Sequence, residues 1–144
     1  MSTPIPFTSD EEVAAIGLGL VERSLPKHAW THAAHFTAAM WLFSRGHDAF
    51  RDMPALIRAY NETTGVANTE SSGYHETVTI ASLRAARAFL NEDPTRPLYI
   101  ACNALLRSRF GKSDWMAVHW SKDRLFSPEA RRTWMEPDLQ PLPF

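Results

Sequence analysis

The chain has 144 residues, 44% of them hydrophobic and 22% charged, with a formal net charge of −1. That length fits a single domain with a real core, and the near-neutral charge gives no electrostatic reason to expect nucleic acid or an anionic membrane as partner. A single cysteine, Cys102, excludes an internal disulfide framework and fits a reducing compartment.

Residues 1–8 read as an extended, proline-containing lead-in. They have no basic, apolar leader pattern, so the expected location is the cytoplasm. Ser9 stands three residues before Glu12, the capping-box spacing, and Val13, Ile16, Gly17 and Leu20 follow on one helical face. The pattern predicts a helix over 10–23, in which Gly17 lets a neighbouring helix approach closely.

The next segment, Leu25 to Phe43, is apolar on nearly every side, which belongs in the middle of a core. Its histidines and hydroxyl residues argue for a core helix over a membrane span. Two starts compete. Pro26 suits a first helical turn, and Thr31 suits a cap; the apolar run is continuous only after Thr31, so the helix is placed from His32 to about Arg45, with Gly46 as its stop. His32 and His35 then lie about 60° apart on one face, with Ala39 and Leu42 continuing the stripe. His28 joins that face only if the helix begins at Pro26.

Asp52 with Pro54 signals a third helix ending at Gly65, with His47 to Asp52 as a polar linker or single turn. Residues 63–73 form a polar loop that leads into Tyr74-His75-Glu76-Thr77. A fourth helix is expected over about 73–90, with His75, Thr79, Ser82 and Ala86 facing inward and Glu76 at the edge of that face. A fifth begins near Thr95 or Pro97, buries Leu98, Ala101, Cys102 and Leu105, and is closed by Gly111. Ser113 or Asp114 can cap a sixth short helix through Trp120, and Ser127-Pro128-Glu129 opens a last one. Residues 137–144 contain three prolines and read as an extended tail that an Arg131–Asp138 pair can pin. The expected fold is all-α: one domain, a compact bundle of five main helices with one or two short C-terminal helices.

The elements His32-Ala33-Ala34-His35, Tyr74-His75-Glu76-Thr77-Val78-Thr79, and Ser127 through Ala130-Arg131 to Pro137-Asp138-Leu139 carry a resemblance. With them the chain resembles a family of small bacterial proteins of unknown function that combine an H-x-x-H helix with a Y-H-E-T segment. The resemblance runs from about Leu25 to Leu142. It implies an α-helical fold and a grouping of these residues, and it implies no reaction.

Histidines three apart on a helix can share one divalent ion, and a histidine or carboxylate from a facing helix completes a site with an open position. The expected ligands are His32, His35, His75 and Glu76, and imidazole with carboxylate suits zinc, iron or manganese. In a metal-dependent, hydrolase-like enzyme Glu76 is the candidate general base. His28, Tyr60, Tyr74 and Thr79 are candidates for a surrounding shell or pocket. The alternative is a binding or interaction module for a small molecule, whose buried His/Glu cluster is structural. Trp115 and Trp120 flank His119 and can rim a pocket; Cys102, at core spacing, reads as a small hydrophobe.

Overall fold

Local capping signals set where most of the helices start. In the computed structural model, which describes residues 5–144, the Ser9 side chain accepts the Glu12 amide and opens α1, Asp10–Val21. Residues 1–4 of the expected lead-in lie outside the described chain. Glu12 completes the cap one residue early, its carboxylate accepting the Thr8 amide at 2.7 Å. Thr31 accepts the Ala34 amide and opens α2, His32–Ser44, while residues 27–29 form only a 3-10 turn. Gly46 follows with φ +79°, as expected for a helix stop.

α2 is the centre of the bundle. Phe36, Ala38, Ala39, Met40 and Leu42 are all buried, and the helix packs on α1 and on α4, Glu76–Glu92. Gly17 makes the contact with α1 possible, because a Cβ there would overlap the Trp41 ring. α5, Leu98–Arg107, closes another side and buries Ala101, Cys102 and Leu105. Its N-cap, Pro97, has no side chain able to cap. Asp10 of α1 takes that part instead and accepts the Tyr99 amide at 2.9 Å.

Helix boundaries differ from expectation where a cap other than the expected one opens the helix. α3 spans Ala49–Thr63 and starts before the Asp52–Pro54 signal, because Asp48 accepts the Arg51 amide. Pro54 therefore sits inside the helix. α4 begins at Glu76, and His75 is its N-cap with extended backbone, φ −134°, so the expected start at Gly73 is corrected. Gly111 closes a 3-10 turn, Arg109–Gly111, after α5 has already ended. The expected sixth helix is a 3-10 turn, Trp115–Val118. A four-residue helix that the pattern did not reveal, α6 (Lys122–Leu125), follows with Ser121 as its cap. α7, Pro128–Arg132, starts at Ser127 as expected.

The chain is thus all-α, with five main helices and two short ones, and no strand among the described residues. Among the described residues no helix is long and apolar enough to cross a membrane. The segment after α7 is held by buried polar groups. The Thr77 hydroxyl donates to the Ala130 carbonyl and accepts the Met135 amide, and Trp120 Nε1 donates to the Met135 carbonyl. The expected Arg131–Asp138 pair does not form. Asp138 accepts the Ser121 amide and hydroxyl, while Arg131 donates to the Gly73 carbonyl.

Candidate functional site

Helices α2, α3 and α4 line a cavity of about 250 Å3 that is partly open to solvent. Ala39, Met53, Ile57 and Leu83 supply apolar wall; His32, His35, Thr79 and Ser82 supply the polar groups. An apolar void of about 150 Å3 already takes a benzene-sized guest. A second chamber of about 490 Å3 adjoins the first, sharing His32, Val78 and Ser82. Trp115, Met116, Trp120 and Leu125 line it from the C-terminal segment, with exposed Phe126 and Lys122 at its edge.

His35 stands on the first turn of α2 because Thr31, not Pro26, opens that helix. Its Nδ1–H donates to the Thr31 carbonyl at 2.8 Å, which leaves Nε2 with the lone pair and no partner among the described residues. Trp30 stacks on the ring at a centroid distance of 3.9 Å. Burial pushes the imidazole pKa down to about 4; the Thr31 carbonyl opposes this and His32 adds to it. His35 is therefore neutral at physiological pH. His32 uses its Nε2–H on the Phe110 carbonyl at 2.9 Å, and its other ring nitrogen has no hydrogen-bond partner among the described residues.

His75 is placed differently from the wheel-based expectation. As the α4 cap it accepts the Val78 amide at Nδ1, and its Nε2–H donates to the Leu125 carbonyl at 2.7 Å. Both ring nitrogens are engaged. Burial lowers its pKa, with the Leu125 carbonyl opposing and the nearby Arg131 charge assisting. The bond to Leu125 fixes α6, and so one wall of the larger chamber.

Glu76 lines neither chamber. Its carboxylate accepts the hydroxyl of buried Tyr74, whose pKa is raised first by burial and then by that bond. The four expected ligands are thus divided: His32 and His35 share a cavity, while His75 and Glu76 are committed to structural hydrogen bonds. Among the described residues no group of three His, Cys, Asp or Glu side chains is placed to hold an ion.

The surrounding candidates separate as well. Thr79 reaches the cavity. Tyr60 donates its hydroxyl to the Leu25 carbonyl at 2.8 Å, and His28 is exposed in the 27–29 turn. Burial pushes the Cys102 thiol up to about 12, as for an inert core residue. His119 is buried, its Nδ1–H donating to the Gln140 carbonyl, and Trp115 and Trp120 beside it do line the larger chamber.

Comparison with protein families, with curated proteins and with solved structures finds no match to this chain. Sequence reasoning missed Met53, because Asp52–Pro54 read as a helix start and hid the first turn of α3. Under the structural reading His32 and His35 bond to backbone carbonyls, as they do; the sequence left unnamed which ones, Phe110 for His32 and Thr31, which sets the tautomer, for His35.

Proposed function

We propose that this chain is a small-molecule-binding module whose ligand occupies the cavity between α2, α3 and α4. The ligand has an apolar body and one hydroxyl or N–H donor for Nε2 of His35. The observation that supports this is a cavity of about 250 Å3 with apolar walls, in which a neutral imidazole keeps one lone pair unused. Water reaches part of the His35 ring, so a ligand donor at Nε2 replaces water there and supplies orientation, while the apolar walls supply affinity. The adjoining chamber gives room for a longer molecule. The single buried cysteine accords with a cytoplasmic setting for such a module.

A divalent ion, zinc, iron or manganese, is the second reading. In its favour, His32 and His35 line the same cavity and each has a ring nitrogen free of hydrogen bonds. Two nitrogens are fewer than the three protein ligands of ordinary catalytic zinc sites. Recruiting His75 and Glu76 would break the Leu125 and Tyr74 bonds. The hydrolase-like chemistry with Glu76 as base needs that rearrangement too.

Amide NMR titration with cyclohexanol, and with methylcyclohexane as the partner lacking a donor, tests the first reading. Saturable shifts at Ala39, Ile57 and Leu83, tighter for the alcohol, are expected, and His35→Phe should remove the alcohol's advantage. No saturable shift there with either compound would overturn the reading. A melting temperature raised by zinc and lowered by chelator, lost in His32→Ala, would favour the ion instead.

A further inference from the structure

The loop that joins α3 to α4 is built more tightly than its composition of Thr, Ser, Asn and Gly suggests. Asn68 is its hub: Oδ1 accepts the Asn61 side-chain amide and the Tyr74 backbone amide, both at 3.0 Å, and Nδ2 donates to the Arg58 carbonyl at 3.2 Å. Gly73 has φ +77°, and a Cβ there would collide with the Ala67 carbonyl and Asn68. These contacts fix the loop's backbone without using a single side-chain charge.

Three arginines collect around this loop. Arg58 of α3 lies over the Tyr74 ring, its guanidinium carbon 4.2 Å from the centroid. Arg131 of α7 donates Nη1 to the Gly73 carbonyl at 3.0 Å. Arg132 pairs with Glu70 at 2.7 Å. Together with Asn68, Thr69, Glu70 and Tyr74 the three arginines line a groove of about 300 Å3. Glu70 neutralises Arg132, and no carboxylate lies within ion-pair distance of Arg58 or Arg131 among the described residues. The aromatic face holds one guanidinium and backbone carbonyls hold the other, so both cations are positioned before any counter-charge arrives. Three arginines thus line the groove with one carboxylate, Glu70, on a whole chain whose net charge is −1, while Glu76 is held behind the Tyr74 hydroxyl.

We propose that this groove binds a phosphate group, as a phosphomonoester or free phosphate, through Arg58 and Arg131, with Thr69 as an additional donor. Charge selects the ligand. A phosphomonoester carries nearly two negative charges near neutral pH and matches the two unpaired guanidiniums, whereas a carboxylate neutralises only one. Arginine's planar fork suits a tetrahedral oxyanion better than lysine's point charge would. The groove is separate from the cavity, sharing no lining residue with it.

Calorimetric titration of the full chain at about pH 7.5, where phosphomonoesters are mostly dianions, tests the assignment. The probes are phenyl phosphate, inorganic phosphate and phenylacetate. Saturable binding of phenyl phosphate that weakens with added salt is expected. Competition by inorganic phosphate identifies the phosphate group as the part recognised; its failure to compete shows that the ester's organic part is also needed. Phenylacetate should bind much more weakly. Arg58→Gln, an exposed position where loss of the contact with the Tyr74 ring should lower the melting temperature only slightly, should weaken phenyl phosphate binding by roughly tenfold, about the worth of one charge-assisted hydrogen bond. Ala39→Leu, which fills the cavity, should leave it unchanged. The proposal is overturned by no binding of either phosphate, by equal binding of phenylacetate, or by unchanged affinity in a folded Arg58→Gln protein.

Discussion

The heads of α2 and α4 both carry a histidine, and the two are opposite in state. His35, on the first turn of α2, spends only Nδ1–H and keeps a lone pair at Nε2 in a cavity wall. His75, at the cap of α4, accepts at Nδ1 and donates from Nε2, so nothing is left over. The difference comes from local backbone geometry at Nδ1 and, for His75, from the Leu125 carbonyl that meets Nε2. His35 is inside its helix, where the carbonyl of Thr31 lies within reach, whereas His75 is outside its helix with an extended backbone facing the first orphan amides. The same residue type therefore closes one helix end structurally and leaves the other open chemically.

The largest effect expected from breaking this comparison is at the closed end. His75→Ala removes the α4 cap and strands the Leu125 carbonyl, and should cost about 3 kcal/mol in urea unfolding. Amide exchange should quicken across α6 and α7 before it does in α2. His75→Asn keeps a capping acceptor and should recover about 1 kcal/mol of that loss. If His75→Ala were as stable as the parent, the structural reading of His75 would fail.

Acidification should act next, and mainly through the open end. His35 takes up a proton near pH 6.5 in the unfolded chain but only near pH 4 in the folded one. Between those values the unfolded state binds more protons, so stability falls as pH falls; above about pH 6.5 this group contributes no pH dependence. The loss through His35 should be about 2 kcal/mol, after allowing for the water-accessible side of its ring. His75, also lowered, acts in the same direction. Urea midpoints measured against pH should show this slope, and His35→Gln should flatten it.

Much of this contrast was legible where signals are local. Ser9, Thr31 and Ser127 mark helix starts because a cap satisfies amides only three residues away. The all-round apolarity of α2 marked the core, and Thr79 and Ser82, placed on the inward face of α4, do reach the cavity. The role of His75 was not legible. A helical wheel begun at Gly73 sends its ring inward, whereas a cap is governed by extended backbone and by Leu125, which is distant in sequence. Pro54 misplaced the start of α3 because proline tolerates the first turn of a helix but does not require it. α6 is too short for any periodicity to show. Arg131 and Asp138 looked complementary, yet each found a nearer partner that only the folded chain supplies.

A smaller change sharpens the comparison at the α4 end. Tyr74→Phe deletes the hydroxyl that Glu76 accepts and should cost about 1 kcal/mol, read as a shift in the urea midpoint. Cyclohexanol binding in the cavity should be unaffected. A change in that binding would mean that Glu76 serves the cavity after all.

The most direct measurement is a long-range proton–nitrogen correlation spectrum of the imidazole rings at neutral pH. It should report His35 as the neutral Nδ1–H tautomer and His75 as the neutral Nε2–H tautomer, two opposite patterns in one spectrum. On adding cyclohexanol, the Nε2 resonance of His35 should move toward the hydrogen-bonded range while both His75 nitrogens stay in place. A protonated His35, an Nε2–H tautomer at His35, or an Nε2 signal indifferent to the alcohol would contradict the account.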